Sequence, residues 1–122
     1  MAVKRLLDTN AILYLLGGRL AAPLEIGPYY VSVISEMELL SYPSLTDDAE
    51  TQIRSFLADV TVVDLTREIK AAAIQVRRQL GLKLPDAIVA ASAMVLEAEL
   101  LTNDVQLLRV AAVRSTALAL KE

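Results

Sequence analysis

The 122-residue chain contains no cysteine and no histidine. Without thiols there is no disulfide, no thiolate nucleophile and no sulfur-ligated zinc. Without imidazole, the commonest general base and the commonest nitrogen ligand for metals are gone as well. Any enzymatic chemistry must therefore run on carboxylates, hydroxyls, Lys or Arg, amides or a metal. A metal held by such groups has oxygen ligands, which favours Mg²⁺ or Mn²⁺ over zinc. Aromatics make up only 4% of a chain that is 55% hydrophobic, so the core is aliphatic. No apolar run approaches the roughly 18 residues of a membrane span. Asp8 and Asn10 interrupt the apolar segment that would follow Lys4 and Arg5 in a signal peptide. The expected location is the cytoplasm.

What is present fits one domain over residues 1–122, long enough to bury a real core. The mean hydropathy of +0.47 leads us to expect that a partner covers some apolar surface. A net charge of −3 argues against a passive phosphate-neutralising surface. It leaves room for an enzyme that reaches phosphate through bound cations.

Along the chain, VKRLL (3–7) reads as a short strand running into a helix from Thr9 to Gly17 and Gly18. Residues 19–28, with Pro23, Gly27 and Pro28, read as a loop or short helical turn. YYVSV (29–33) is β-rich, ISEMELLSY (34–42) is helical, and Ser44 to Asp48 offer caps for a helix over roughly 46–58. VTVVDL (60–65) is the clearest strand by β-branching. In the helix 66–81, Ile69, Ala72, Ala73, Val76 and Leu80 share one face, while Arg67, Lys70, Arg77 and Arg78 lie opposite. Pro85 can open a further helix, AELLT (98–102) is a strand, 104–109 a helical turn, and VRSTALAL (113–120) a last strand. Strands alternating with helices predict an α/β fold with a mainly parallel sheet and helices on both faces.

Four carboxylates stand out. Asp8 follows the first strand, Glu38 lies in the helix after the second, Asp86 opens a helix, and Asp104 lies just past LLT. Strand ends of a parallel sheet share one edge, so distant residues can converge there. Each acid also has an ordinary explanation. Asp8 and Asp104 suit helix N-caps, Asp86 suits a helix dipole, and Glu38 suits a solvated helix surface. Periodicity does not choose between Glu36 and Glu38. Ala90 and Ala93 share the face of Asp86, which would let another backbone approach.

LLDTNAILYLL, VSVISEMEL, LPDAIVAASA and LLTNDVQLL, in this order and spacing, resemble the PIN-domain ribonucleases, particularly the VapC-type toxins of toxin–antitoxin pairs. The likeness covers nearly the whole chain and implies a three-layer α/β/α domain. It matches Asp8 to the family's first acid and Glu38 to the second, six residues after Ser32 in a Ser-x-Ile-Ser-x-x-Glu-Leu pattern. Asp86 matches the third acid and Asp104 the fourth, while Thr102 and Asn10 match supporting polar positions. The sequence departs at Asn103, where a basic residue is common, and at Gln106 and Leu107, where an acidic–aromatic pair is common.

The resemblance implies an RNA-cleaving enzyme that uses Mg²⁺ or Mn²⁺, with an antitoxin partner and a homodimeric state. Clustered carboxylates repel, and a divalent cation relieves that repulsion while activating water. Setting the four acids aside leaves 12 basic and 11 acidic residues, a net of +1. Arg67, Lys70, Arg77 and Arg78 could track RNA phosphates or an acidic antitoxin segment, or form an ordinary solvated helix face. Two other readings stay open. One is a PIN-fold binding module without catalysis; the other makes Asp8 a phosphoacceptor, although Asn10 stands where a phosphatase of that kind has its second Asp.

Overall fold

The computed structural model describes residues 3–122. Five short strands are β1 (Arg5–Leu7), β2 (Tyr29–Ser32), β3 (Thr61–Val63), β4 (Glu99–Leu101) and β5 (Ser115–Thr116). They form a single all-parallel sheet in the order β3-β2-β1-β4-β5. The helices are α1 (Thr9–Leu16), α2 (Val33–Leu40), α3 (Asp47–Ala58), α4 (Arg67–Leu80), α5 (Leu84–Leu96) and α6 (Val105–Leu108).

The pleat sorts adjacent residues into two cores. Leu6 and Leu100 point to one face, where they meet Ile69, Ala73 and Val76 of α4 and the alanine-rich side of α5. Leu7, Val31 and Leu101 point to the other, against Ala11 and Ile12 of α1, Leu39 of α2 and Ile53 of α3. Strands this short, buried on both faces, read as continuous apolar runs rather than alternating ones. The result is the expected three-layer α/β/α arrangement. Ala87, Ala90, Ala91 and Ala93 are fully enclosed, so the small residues let α5 sit close beneath the sheet and beside α4.

Helix boundaries follow local chemistry. Ser32 ends β2 and also caps α2, its hydroxyl accepting from the Ile34 N–H at 3.1 Å. Thr46 and Thr66 cap α3 and α4 in the same way. Gly81 stops α4 in the left-handed region at φ 69°. Leu84 and Pro85 occupy the first turn of α5, where a proline's missing N–H costs nothing.

The structure differs from expectation in three places. VTVVDL keeps only three residues in β3, because it is the edge strand beside β2 and half exposed. VRSTALAL contributes only Ser115–Thr116 to the sheet; its end turns away to pair Leu120 with Leu20 in an antiparallel bridge. Leu80 is on the expected apolar face of α4 but is exposed, since the chain reverses at Gly81 and Leu82 takes the buried position. Among the described residues, no helix is long and apolar enough to cross a membrane.

Candidate active site

The strand order reverses at β1, which has β2 on one side and β4 on the other. In open parallel sheets, ligands bind outside the carboxyl ends of the strands at such a switch point. Register decides what stands there. Leu7 pairs with Leu101, so the residues immediately after them, Asp8 and Thr102, emerge side by side. The Asp8 N–H donates to the Leu101 carbonyl at 3.2 Å, extending the ladder by one step.

Asp8 is only 6% exposed. One carboxylate oxygen, Oδ1, accepts from the Ala11 N–H at 2.8 Å and caps α1. The other, Oδ2, accepts from the hydroxyl of Thr102, which is wholly enclosed. Thr102 in turn accepts from the Asp104 N–H at 3.0 Å, linking the first and last acids of the sequence pattern. Asp104 caps α6, its Oδ1 accepting from Gln106 N–H at 2.8 Å. The cap explanation therefore holds for both residues, each through Oδ1.

Asp86 lies in the first turn of α5 and is half-buried. Burial pushes its carboxyl above the ordinary value, and the charges of Asp104, Glu38 and Asp8 push it further, against an opposing pull from Lys83. Asp8 is raised as well, first by burial and then by Asp104 and Glu38, against the Thr102 and Ala11 hydrogen bonds. Asp104 and Glu38 act on both Asp8 and Asp86, so the fold brings these acids to one edge. Among the described residues, no three of them close into a ready-made cation cage. The caps already hold one oxygen of Asp8 and one of Asp104.

Two residues that sequence reasoning passed over complete the site. Thr9 Oγ1 lies 2.7 Å from Glu38 Oε1 and 2.9 Å from Ser35 Oγ. Both residues stand inside the quoted motifs, but neither carries a charge or a periodic signal that would single it out. Lys83 is a third; its place just before α5 is the only clue. Asn10, by contrast, is exposed and lines a groove of about 610 Å³ with Leu13, Glu38, Tyr42, Pro43 and Leu45. Arg67, Lys70, Arg77 and Arg78 are all exposed on α4 and form no ion pair among the described residues. They are not among the charges acting on Asp8 or Asp86; on Asp86 the acting cation is Lys83. Asn103, at a departure from the family pattern, holds the C-terminal segment. Its side chain donates to the Leu118 carbonyl at 3.0 Å and accepts from the Leu118 N–H at 2.7 Å.

Fold and site together define a three-layer α/β/α protein with an oxygen-only acidic centre at the switch point of its sheet. The family model of the PIN domain matches residues 5–113, and the chain belongs to that family. Among solved structures, a toxin–antitoxin complex from Klebsiella pneumoniae contains a chain 27% identical to this one. The match has a TM-score of 0.74 and covers 89% of this chain and 94% of that one. VapBC2 from Rickettsia felis, bound to a DNA fragment from their promoter, matches at 17% identity and a TM-score of 0.80, covering 95% and 99%. VapBC-5 from Mycobacterium tuberculosis matches at 19% identity and a TM-score of 0.72, covering 94% and 98%. The last two share the fold. No curated protein sequence matches the chain.

Proposed function

We propose that this chain is a single-domain, metal-dependent endoribonuclease and the toxin of a toxin–antitoxin pair, with Asp8, Glu38, Asp86 and Asp104 as its catalytic acids. The observation that carries this reading is Asp8, a carboxylate 6% exposed at the sheet's switch point, raised first by its burial and then by the charges of Asp104 and Glu38. A cap alone does not call for three further acids around it. The donors are all oxygens of carboxylates and hydroxyls, which suits a hard divalent cation, Mg²⁺ or Mn²⁺. When bound, such an ion supplies Lewis acidity toward a phosphodiester and lowers the pKa of water, the task a histidine-free chain cannot give to a side-chain base.

The chain's own residues have separable parts in this scheme. Asp8 is anchored through Oδ1 by Ala11 and through Oδ2 by Thr102, so its orientation is fixed before any ligand arrives. Thr102 also ties the backbone of Asp104 to Asp8, which keeps the two acids in step. Asp86 and Glu38 face them from α5 and α2, and Lys83 moderates the negative field at Asp86. Leu7, the residue before Asp8, is buried in one apolar cluster with Leu101 and Ile12.

The groove of about 610 Å³ beside Glu38 is rimmed by exposed Leu13 and Tyr42, which suits an antitoxin segment. Ile74, Leu80 and Leu84 are exposed too, in keeping with a homodimer. The basic face of α4 is left to long-range attraction of RNA or of an acidic partner. The place of action in this reading is the cytoplasm. The test is cleavage of RNA by wild type and by Asp8→Asn, with Mg²⁺ or Mn²⁺ and with EDTA. Cleavage that is lost with either the substitution or the chelator is expected. Cleavage that survives both sinks the metal mechanism, and a wild type without activity favours a binding module.

A further inference from the structure

Ser35 is an anomaly in the site. It lies in the first turn of α2 and is completely enclosed. A buried hydroxyl is unfavourable unless it is hydrogen-bonded. Ser92, the comparable buried serine of α5, turns back to its own helix and donates to the Ile88 carbonyl at 2.7 Å. Ser35 does not. Its side-chain partner among the described residues is Thr9 Oγ1 at 2.9 Å, on a different helix 26 residues away.

Proton counting fixes the direction of the chain. Thr9 has one hydroxyl proton, and its oxygen lies within reach of both Ser35 Oγ and Glu38 Oε1. Thr9 donates that proton to Glu38 Oε1 at 2.7 Å. Ser35 then donates to Thr9, which takes the hydroxyl proton out of contention for any other direction. Chains of this kind polarise each member, so the bond to the carboxylate is stronger than an isolated one.

We infer that Ser35, acting through Thr9, is a positioning residue for Glu38, aiming its carboxylate at the acidic centre through a Ser35–Thr9–Glu38 relay. The need for it follows from where Glu38 stands. Its helix position is exposed, and a Glu side chain there has several free torsions that ordering must restrict. Asp8 and Asp104 have backbone donors to orient them; among the described residues, the donor to the Glu38 side chain is the Thr9 hydroxyl. The relay also joins α1 to α2, so the acid on the second strand's helix is registered to the helix that Asp8 caps.

This inference rests on the metal-dependent reading of the site, and its test separates the two. Mn²⁺ binding to the RNA-free protein and Mn²⁺-dependent RNA cleavage are measured for wild type, Thr9→Val, Thr9→Ser, Ser35→Ala and the Thr9→Val/Ser35→Ala pair. Thermal melts check that each is folded. Thr9→Val and Ser35→Ala each weaken Mn²⁺ binding and slow cleavage by about tenfold, equivalent to about 1.4 kcal/mol. Thr9→Ser recovers most of the loss, and Ser35→Ala adds nothing once Thr9→Val is present. The relay is overturned if both single variants match a wild type that binds Mn²⁺ and cleaves RNA. It is equally overturned if Ser35→Ala keeps its full effect in the Thr9→Val background, for then the serine acts by packing. A wild type that neither binds Mn²⁺ nor cleaves RNA overturns the metal reading, and the relay with it.

Discussion

Thr102→Val isolates one oxygen atom at the centre of the site. The substitution keeps the branched shape and removes the hydroxyl that donates to Asp8 Oδ2 and accepts from the Asp104 N–H at 3.0 Å. Thr102 is wholly enclosed and Asp8 nearly so, which leaves water little access to either oxygen. A hydrogen bond to a charged group contributes about 1.5–3 kcal/mol, and the Asp104 N–H loses its partner as well. The added methyl regains about 0.8 kcal/mol of apolar burial. The net expectation is a loss of about 1–3 kcal/mol at neutral pH. Urea unfolding of the metal-free protein reads it as a midpoint lower by about 1 M for a slope typical of small domains. Because the bond to an ionised Asp8 carries most of the loss, the difference should narrow as Asp8 takes up its proton at low pH. It should also shrink in an Asp8→Asn background. A loss below about 0.5 kcal/mol, within the ordinary range of surface changes, refutes the reasoning, as does one that Asp8→Asn leaves untouched.

The raised carboxyl of Asp86 gives a prediction with a definite sign. An acid whose folded pKa exceeds its unfolded value binds more protons when folded, so its contribution to stability is present at low pH and is lost as pH rises through the folded pKa. Asp86→Asn should therefore raise the melting temperature of the metal-free protein at pH 7, with the gain fading as pH falls toward the unfolded carboxylate range. Melts across that range check it; an unchanged or lower melting temperature at pH 7 rules it out. Gly81 tests the turn that exposes Leu80. A Cβ there meets nothing within 4 Å, so Gly81→Ala carries only the left-handed backbone cost of about 1–2 kcal/mol, read by urea unfolding. A variant as stable as wild type would show that the turn relaxes to another conformation.

Much of the fold was legible because its signals are local. The Thr66 cap, the four- and three-residue spacing of Ile69, Ala73 and Val76 and the Gly81 stop all lie within one helix, and each acts over about four residues. The same holds for the Pro85 start and the caps at Asp8 and Asp104. Local signals misjudge the ends of elements. Leu80 has the right spacing, but its burial depends on where the chain goes after Gly81. VRSTALAL has strand character throughout, and pairing decided that two residues join the sheet while Leu120 bridges to Leu20. The basic stripe of α4 is exposed as its periodicity required, whereas the cation beside Asp86 is Lys83.

By itself the sequence determined which chemistry is available. A chain with neither His nor Cys can offer a hard divalent cation oxygens as its ligands and has no neutral-pH imidazole base, however it folds. It also determined the succession of strands and helices, through periodicity and caps. Only the tertiary structure decided which atoms meet. The Leu7–Leu101 register sets Asp8 beside Thr102 across 94 residues, and the seat of α2 against α1 brings Ser35 to Thr9 across 26. The physical reason is range. Helices and turns are written in interactions a few residues long, whereas a hydrogen bond between hydroxyl and carboxyl groups exists only when two oxygens stand about 2.5–3.0 Å apart. That distance is set by the packing of the whole sheet and leaves no periodic trace in the residues that achieve it.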